Sequence, residues 1–228
     1  MKSSFYYCFL LITLLLLVSC SKEITPVTPV AQNSSAEENA IQAAIVHSTV
    51  NKTFTILPLP SRNGDILSKT LTKYIDLNGD KTKDFAFTLY WSRWDYPYQN
   101  NDAATPSMYG TSGGDSVVTD LLYYTGYFGG NTGNFVRALP AAADIKSAHP
   151  YSTSALLATR YHVPPSYYSG GELLGKGDQL IAVKFTFKDG TTHFGWIRVN
   201  LASDGNSLTI ADFAYNSVAN ETIAAGAF

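Results

Sequence analysis

Residues 181–201 read IAVKFTFKDGTTHFGWIRVNL and contain the clearest β-hairpin pattern of the chain. Apolar residues alternate with polar or small ones from Ile181 to Phe187, which is typical of a strand with one buried face. Asp189 and Gly190 then predict a type I′ turn, because both central residues of that turn need a positive φ. The segment from His193 to Leu201 follows as the returning strand.

The pattern continues beyond this hairpin. A second turn is predicted at residues 203–206, which read Ser-Asp-Gly-Asn, and a third strand from Leu208 to Tyr215. Gly195 lies inside the returning strand, where glycine usually marks a bulge or the close approach of another backbone. Its neighbours Phe194 and Trp196 are interpreted as packing residues.

Earlier segments carry similar patterns. Strands are predicted at Lys52–Leu57, Leu71–Asp76, Phe85–Trp91 and Val117–Tyr124. The chain has 15 Tyr and 12 Phe but only 15% charged residues, a composition that suits β-structure. Many short strands without a repeating alternation of strand and helix predict an all-β fold, a single antiparallel β-sandwich-like domain over residues 41–228.

The middle of this domain has the weakest pattern. Between Ser92 and Asp178, Gly, Pro, Ser and Tyr are scattered through segments that predict long loops, with a short helix around Ala141 to Lys146. Long loops are uncommon in compact domains unless they bind something. Residues 92–178 are therefore interpreted as the functional face.

The first residues have the composition of an export signal. Lys2 precedes an apolar run from Phe5 to Val18, and small residues follow it. A helix that crosses a membrane needs roughly 20 apolar residues, so this run is too short to remain as a span. Residues 1–19 are therefore predicted to be a signal peptide.

The end of this segment, Leu17-Val18-Ser19-Cys20, resembles the lipobox of bacterial lipoproteins. The resemblance implies cleavage before Cys20, a diacylglycerol on its thiol, and a further acyl chain such as palmitate on the new amino terminus. Two or three such chains hold a protein firmly on a membrane. We expect a lipid-anchored protein of the bacterial cell envelope, and residues 21–23 are compatible with the outer membrane.

Residues 20–40 carry the lipidated cysteine and a predicted flexible tether, because Pro-rich and polar stretches cannot bury enough apolar surface to fold. At the end of the tether, Ser35 and Glu38 match a capping box for a short helix. The β-branched residues from Ile45 to Val50 equally match the start of the first strand. Cys8 would leave with the signal peptide, so no disulfide is expected within the mature chain.

Charge and motif content argue against several functional classes. The formal charge is −2 without a run of either sign, which argues against a nucleic-acid partner. The four histidines lack the spacing of a zinc site. The chain also lacks a Gly-rich phosphate loop before a helix.

Residues 76–84 read DLNGDKTKD, with oxygen-bearing side chains at positions 1, 3, 5 and 9. Calcium takes six to eight oxygen ligands, and a loop with this spacing can wrap them around one ion. Apolar Ile75 and Phe85 flank the loop and are expected to hold its ends in the core. The alternative is a tight polar turn, in which the side chains accept hydrogen bonds from the backbone and no ion binds.

This loop resembles the calcium loops of FG-GAP repeats in integrin-like propellers. The resemblance implies a structural calcium ion held by four side chains and the carbonyl of Thr82; the four side chains are those of Asp76, Asn78, Asp80 and Asp84. Lys81 departs from the family pattern, which usually has glycine there. The resemblance covers ten residues in a single copy, so it does not imply a propeller fold.

An aromatic cluster follows the strand predicted at Phe85–Trp91. Flat aromatic rings beside amide and carboxylate groups are typical of sugar-binding surfaces, and the candidate residues are Trp91, Trp94, Tyr96 and Tyr98. The alternative is that these rings belong to the core, since aromatic side chains dominate core burial. A glycan or another envelope protein is the expected partner under the first interpretation.

Residues 193–199, 210–215 and 223–226 together resemble the ending of exported bacterial β-sandwich proteins of unknown function. That resemblance implies a fold and no activity. We therefore expect a non-enzymatic binding or structural module stabilised by calcium. The alternative is a polysaccharide-acting hydrolase whose acidic pair lies within residues 92–178; its candidates are Asp95, Asp102, Asp115 and Asp120.

Overall fold

A computed structural model describes residues 44–60, 66–96, 99–126 and 129–228, apart from the side chains of 95–100 and 121–131. These residues belong to one compact unit, Ala40–Phe228. The predicted signal peptide, Cys20, the tether and the Ser35–Glu38 capping box lie outside the described residues.

The described residues form seventeen β-strands and contain no helix, so the all-β, mostly antiparallel prediction is confirmed. The strands are β1 (Ile45–Thr55), β2 (Ile66–Ile75), β3 (Phe85–Tyr96), β4 (Gln99–Ala104), β5 (Ser107–Gly110), β6 (Ser116–Gly126), β7 (Gly129–Val136), β8 (Ala138–Leu139), β9 (Asp144–Ile145), β10 (Tyr151–Ser152), β11 (Ser154–Leu156), β12 (Thr159–Val163), β13 (Ser166–Gly170), β14 (Asp178–Thr186), β15 (Thr192–Leu201), β16 (Ser207–Asn216) and β17 (Ile223–Ala224).

Fifteen of these strands are connected by hydrogen bonds: twelve follow one path that passes through β6 into two sheets, and β2, β8 and β10 pair with strands of that path. The start of β6 pairs with β14 through Val117 and Val183, which places it in the first sheet with β1, β16 and β15. From Thr119 onward, β6 pairs with β7 and enters the second sheet, which also contains β11, β5, β3, β2, β4, β12 and β13. β6 is therefore shared by both sheets.

The main hydrophobic core draws on both sheets. Alternate residues of β3 enter it from the second sheet, and alternate residues of β14 and β15 enter it from the first. These residues include Phe85, Phe87, Leu89, Ile181, Val183, Phe185, Ile197 and Val199. The core therefore lies between two sheets, consistent with the β-sandwich-like domain that the sequence predicts.

A second hydrophobic cluster covers the opposite face of the first sheet. Its sheet residues include Phe194 and Trp196, which are 2% and 0% exposed, and it is covered by residues from β9 and β17. The Trp196 Nε1–H group donates a hydrogen bond to the carbonyl of Ala227 over 3.1 Å. The predicted packing role of Phe194 and Trp196 is confirmed.

The predicted hairpin between β14 and β15 is confirmed, but its turn type is different. Gly190 has φ of 84° whereas Asp189 has no positive φ, so the turn is not type I′. Phe187 N–H donates to the carbonyl of Thr191 and Gly190 N–H to that of Phe187, which is the pattern of a longer loop with one left-handed residue. Asp189 instead accepts the N–H of Thr191 through its side chain over 2.9 Å.

Gly195 confirms the predicted close approach of a neighbouring strand. A Cβ atom at this position would lie 2.6 Å from the carbonyl oxygen of Ala214 on β16. The register irregularity between β15 and β16 falls three residues later, between Arg198 and Val199. Glycine is therefore required at position 195 by packing of the two backbones.

The middle segment contains more strands than its sequence pattern indicates. Ten of the strands, β4 to β13, lie between Ser92 and Asp178. The short helix predicted at Ala141–Lys146 is wrong, because Ala142 is left-handed with φ of 63° and β9 follows at Asp144–Ile145. At the other end of the domain, β1 confirms the strand alternative for Ile45–Val50. No described helix is long and apolar enough to cross a membrane.

Candidate functional site

The acidic loop of residues 76–84 connects β2 to β3. Its two flanking residues, Ile75 and Phe85, are 9% and 0% exposed, as the sequence predicts. Asp84 N–H donates to the carbonyl of Ile75 over 2.9 Å, which closes the base of the loop. Leu77, inside the loop, is also buried.

Within the acidic loop, backbone N–H groups donate to side-chain oxygens. The contacts are Gly79 to Asp76 (2.8 Å), Lys81 to Asp76 (2.8 Å), Asp80 to Asn78 (3.0 Å) and Thr82 to Asp80 (2.6 Å). These are the contacts of the polar-turn alternative. Each oxygen accepting one N–H retains a further lone pair, so the same contacts also orient these oxygens for other ligands.

The loop backbone is left-handed at two residues. Gly79 and Lys81 have φ of 74° and 72°, both in the left-handed region. A side chain in this region costs roughly 1–2 kcal/mol, which glycine avoids. Lys81, at the position where the FG-GAP pattern usually has glycine, therefore has a backbone conformation that favours glycine.

Asp84 is the buried carboxyl group of the loop and is 2% exposed. Its pKa is raised to about 6, mainly by burial and also by the nearby charges of Asp115, Asp76 and Asp80, while the N–H of Leu77 opposes the shift. The Leu77 N–H donates to Asp84 Oδ2 over 2.6 Å. The loop therefore holds a buried carboxyl group next to three other carboxylates.

A lysine from the opposite hairpin contacts the loop. Lys188 Nζ lies 3.7 Å from Asp80 Oδ2 and also donates to the carbonyl of Asp80. The pKa of Asp80 is lowered by the N–H of Thr82, and Lys188 adds to that shift. Lys188 is a side chain that is largely exposed, so its ammonium group can leave the loop without breaking the core.

Within the part of the chain that the structure describes, no group of three or more His, Cys, Asp or Glu side chains is arranged to hold a metal ion. The predicted donor set adds an amide and a carbonyl to three carboxylates. An all-oxygen set of this kind fits calcium better than zinc, whose sites are usually built on Cys sulfur and His nitrogen. The donor chemistry of the loop therefore fits the predicted ion.

The four residues of the predicted aromatic surface do not share one environment in the structure. Trp91 is 2% exposed and belongs to the main core, as in the alternative interpretation, so its ring is not offered to a ligand. Trp94 is partly buried near the end of β3. The side chains of Tyr96 and Tyr98 lie outside the described residues.

Three of the four candidate hydrolase aspartates have separate partners. Asp115 is fully buried, and its carboxylate accepts the N–H groups of Ser112 and Thr186. Asp120 lies 3.5 Å from Arg137, and Asp102 contacts Arg160 and His162. The side chain of Asp95 lies outside the described residues.

The surroundings of Asp102 form a polar and aromatic cluster that the sequence did not predict. This Asp102 cluster consists of Asp102 on β4, Arg160 and His162 on β12, and Tyr167 on β13. Arg160 Nη1 and His162 Nδ1 lie 3.2 and 3.4 Å from the Asp102 carboxylate oxygens. Local patterns cannot find this cluster, because Asp102 and Arg160 are 58 residues apart.

The rings of the Asp102 cluster are ordered against each other. His162 and Tyr167 stack with centroids 4.2 Å apart and planes 9° apart, and the Arg160 guanidinium carbon lies 5.2 Å from the Tyr167 centroid. Tyr167 is nevertheless 63% exposed.

Comparisons with protein families, with curated proteins and with solved structures find no match to this chain.

Proposed function

We propose that this protein is a lipid-anchored module of the bacterial cell envelope, whose β-sandwich-like domain is stabilised by calcium and binds a partner without catalysing a reaction. The anchor is inferred from the signal-peptide pattern of residues 1–19 and from Cys20 at the end of the lipobox-like sequence. The Pro-rich segment that follows would hold the domain away from the membrane.

Asp84 is the observation that carries the calcium part of this proposal. Its buried carboxyl group has carboxylate neighbours, so its ionised form is disfavoured by both burial and charge. A divalent cation would offset both effects. The proposed ligands are the side chains of Asp76, Asn78, Asp80 and Asp84 and the carbonyl of Thr82, with water completing the coordination.

The proposed role of the ion is structural, because the loop joins two paired strands and both of its ends are buried. The base of the loop is closed by the backbone contact between Asp84 and Ile75. An ion bound across residues 76–84 would hold this connection in the folded state and would have no effect on the unfolded chain.

The calcium proposal is tested by thermal unfolding in chelator and in millimolar calcium. A ligand present at 100 times its dissociation constant stabilises the folded state by about 2.7 kcal/mol, which raises the Tm of a domain of this size by about 5–10 °C. Asp80→Ala should abolish the response, and magnesium should give a smaller one. Identical melting curves in chelator and in calcium would contradict the proposal.

The anchor is tested separately by the intact mass of protein purified from its native host. The expected mass corresponds to a chain that begins at Cys20 and carries the added lipid. Cys20→Ser should leave the protein unlipidated and release it from the membrane fraction. An unmodified thiol in the wild-type chain would contradict the proposed anchor.

A further inference from the structure

Neighbouring strands bring the Asp102 cluster together. His162 on β12 pairs with Asp102 on β4 and with Tyr167 on β13, so these three residues form one row across three strands. Arg160 lies two residues from His162 on the same strand and therefore points to the same face of the sheet. One face thus presents a carboxylate, a guanidinium group, an imidazole and a phenol ring.

Contacts within the Asp102 cluster restrict its side chains before any ligand arrives. The carboxylate lies between the Arg160 guanidinium group and the His162 imidazole, and the His162 ring lies flat against Tyr167. Asp102, Arg160 and His162 are 27%, 21% and 23% exposed at their side chains. They are therefore held in position but remain accessible to a ligand.

The Asp102 cluster keeps unused hydrogen-bonding capacity. Asp102 has further lone pairs on its two oxygens, and Arg160 has five N–H donors, of which one contacts Asp102. His162 approaches Asp102 through Nδ1, which leaves Nε2 on the other side of the ring. The set can therefore accept and donate hydrogen bonds to a ligand rich in hydroxyl groups.

We propose that the Asp102 cluster binds a neutral oligosaccharide, which deepens and rests on the proposed binding function. The exposed ring of Tyr167 packs against the apolar face of a sugar ring, while Asp102, Arg160 and His162 exchange hydrogen bonds with hydroxyl groups. Tyr167 and Asp102 are separated by two strand spacings, about 10 Å. A ligand that reaches both therefore has more than one sugar ring.

The charge of the Asp102 cluster favours a neutral ligand over a polyanion. The Asp102 carboxylate already compensates the Arg160 guanidinium group next to it, and the whole chain has a formal charge of −2. Nucleic acids bind to surfaces with uncompensated basic residues. An extended peptide is the competing occupant, because among the described strands β13 pairs with β12 alone.

The experiment is calorimetric titration of the whole domain with hexasaccharides of β-1,4-linked glucose, xylose and mannose and of α-1,4-linked glucose. We expect at least one of them to bind. Tyr167→Ala and Asp102→Asn should each weaken that binding at least tenfold, while Tyr167→Phe should retain it. Tyr74→Ala is the matched control, because Tyr74 is 56% exposed on β2, outside the cluster, and its removal should leave binding unchanged.

Circular dichroism of each variant confirms that it is folded. Because Tyr167 is exposed, its substitutions should disturb the fold least. Three outcomes would overturn the proposal: no binding by any of the four hexasaccharides, binding that survives both Tyr167→Ala and Asp102→Asn, or binding that an unrelated extended peptide abolishes. Failure here with a calcium-dependent Tm and a lipidated Cys20 would remove the saccharide site and leave the proposed envelope module standing.

Discussion

The acidic loop and the Asp102 cluster each contain an aspartate of low exposure, in opposite electrical surroundings. Asp84 has three carboxylates nearby and one backbone donor. Asp102 lies between a guanidinium group and an imidazole. Negative charge is therefore in excess around Asp84, although Lys188 contacts Asp80, whereas the guanidinium group of Arg160 compensates the carboxylate of Asp102.

This difference indicates what each region is able to bind. A site with excess negative charge gains most from a cation, because the ion offsets repulsion that the fold already contains. A self-compensated site gains little from a charged ligand, but its oriented donors and acceptors can recognise a neutral polar one. The predictions below test whether these two behaviours are separable.

The largest expected effect is a pH dependence of stability that comes from Asp84. Its folded pKa of about 6 lies above the ordinary 3.8, so the fold favours the protonated form. In chelator, this contribution is fully present below pH 4 and is lost as the pH rises through 6, up to about 3 kcal/mol. Urea unfolding at pH 4.5 to 7.5 measures it.

Calcium should reverse this trend, because the ion binds the ionised carboxylate and gains affinity as the pH rises. Asp84→Asn is the control that separates this group from histidines titrating in the same range. The assignment to Asp84 would fail if wild type and Asp84→Asn gave parallel curves in chelator.

The same substitution in the two regions should change stability in opposite directions. In chelator at pH 7.5, Asp84→Asn removes a repelled buried charge and should stabilise the fold by about 1–2 kcal/mol. Asp102→Asn removes the charged partner of Arg160 and should destabilise the fold by about 1 kcal/mol. Chemical denaturation of the two variants beside wild type measures both signs. Stability changes of the same sign in the two variants would contradict the proposed difference between the two regions.

Lys188 provides a smaller test on the loop side. Its ammonium group competes with a cation for Asp80, so Lys188→Met should tighten calcium binding about two- to fivefold, an effect that salt reduces. Calcium titration followed by intrinsic fluorescence measures the affinity. Lys184→Met is the control, because Lys184 packs over the ring of Tyr151 instead. Equal affinities for Lys188→Met and wild type would show that Lys188 does not compete.

The smallest expected effect concerns the loop backbone. Lys81→Gly removes the strain of a side chain on a left-handed backbone, which stabilises the folded state. It also raises the conformational entropy of the unfolded chain, which opposes that gain, so the expected net stabilisation is about 0.5–1 kcal/mol. Thermal unfolding in chelator measures it. Lys83→Gly, in the same loop without a positive φ, should be neutral or destabilising. A destabilised Lys81→Gly would indicate that the lysine side chain has a role of its own.

Local sequence patterns predict the parts of the fold that depend on near neighbours. The three-stranded meander from β14 to β16 is found to within a few residues, since alternation and Gly-containing turns are local signals. The acidic loop is found for the same reason, because all its oxygen atoms lie within nine residues.

The remaining features depend on distant pairing, which local patterns do not encode. The row of Asp102 and His162 exists because β12 pairs with β4 across 60 residues of sequence. The helix predicted at Ala141–Lys146 fails for a related reason: Ala142 N–H donates to the carbonyl of Ala225, far along the chain. Burial of Trp91 also follows from the sheet opposite and not from its neighbours in sequence.

Because β6 belongs to both sheets, it limits how far the two sheets can move apart. At β6, the two sheets cannot separate unless this continuous strand unfolds. Away from β6, a groove is lined by residues of β1 and β2 and reaches Asp76, the first residue of the acidic loop. Thermal unfolding of the domain should start at this groove. An ion bound at residues 76–84 would oppose that first step.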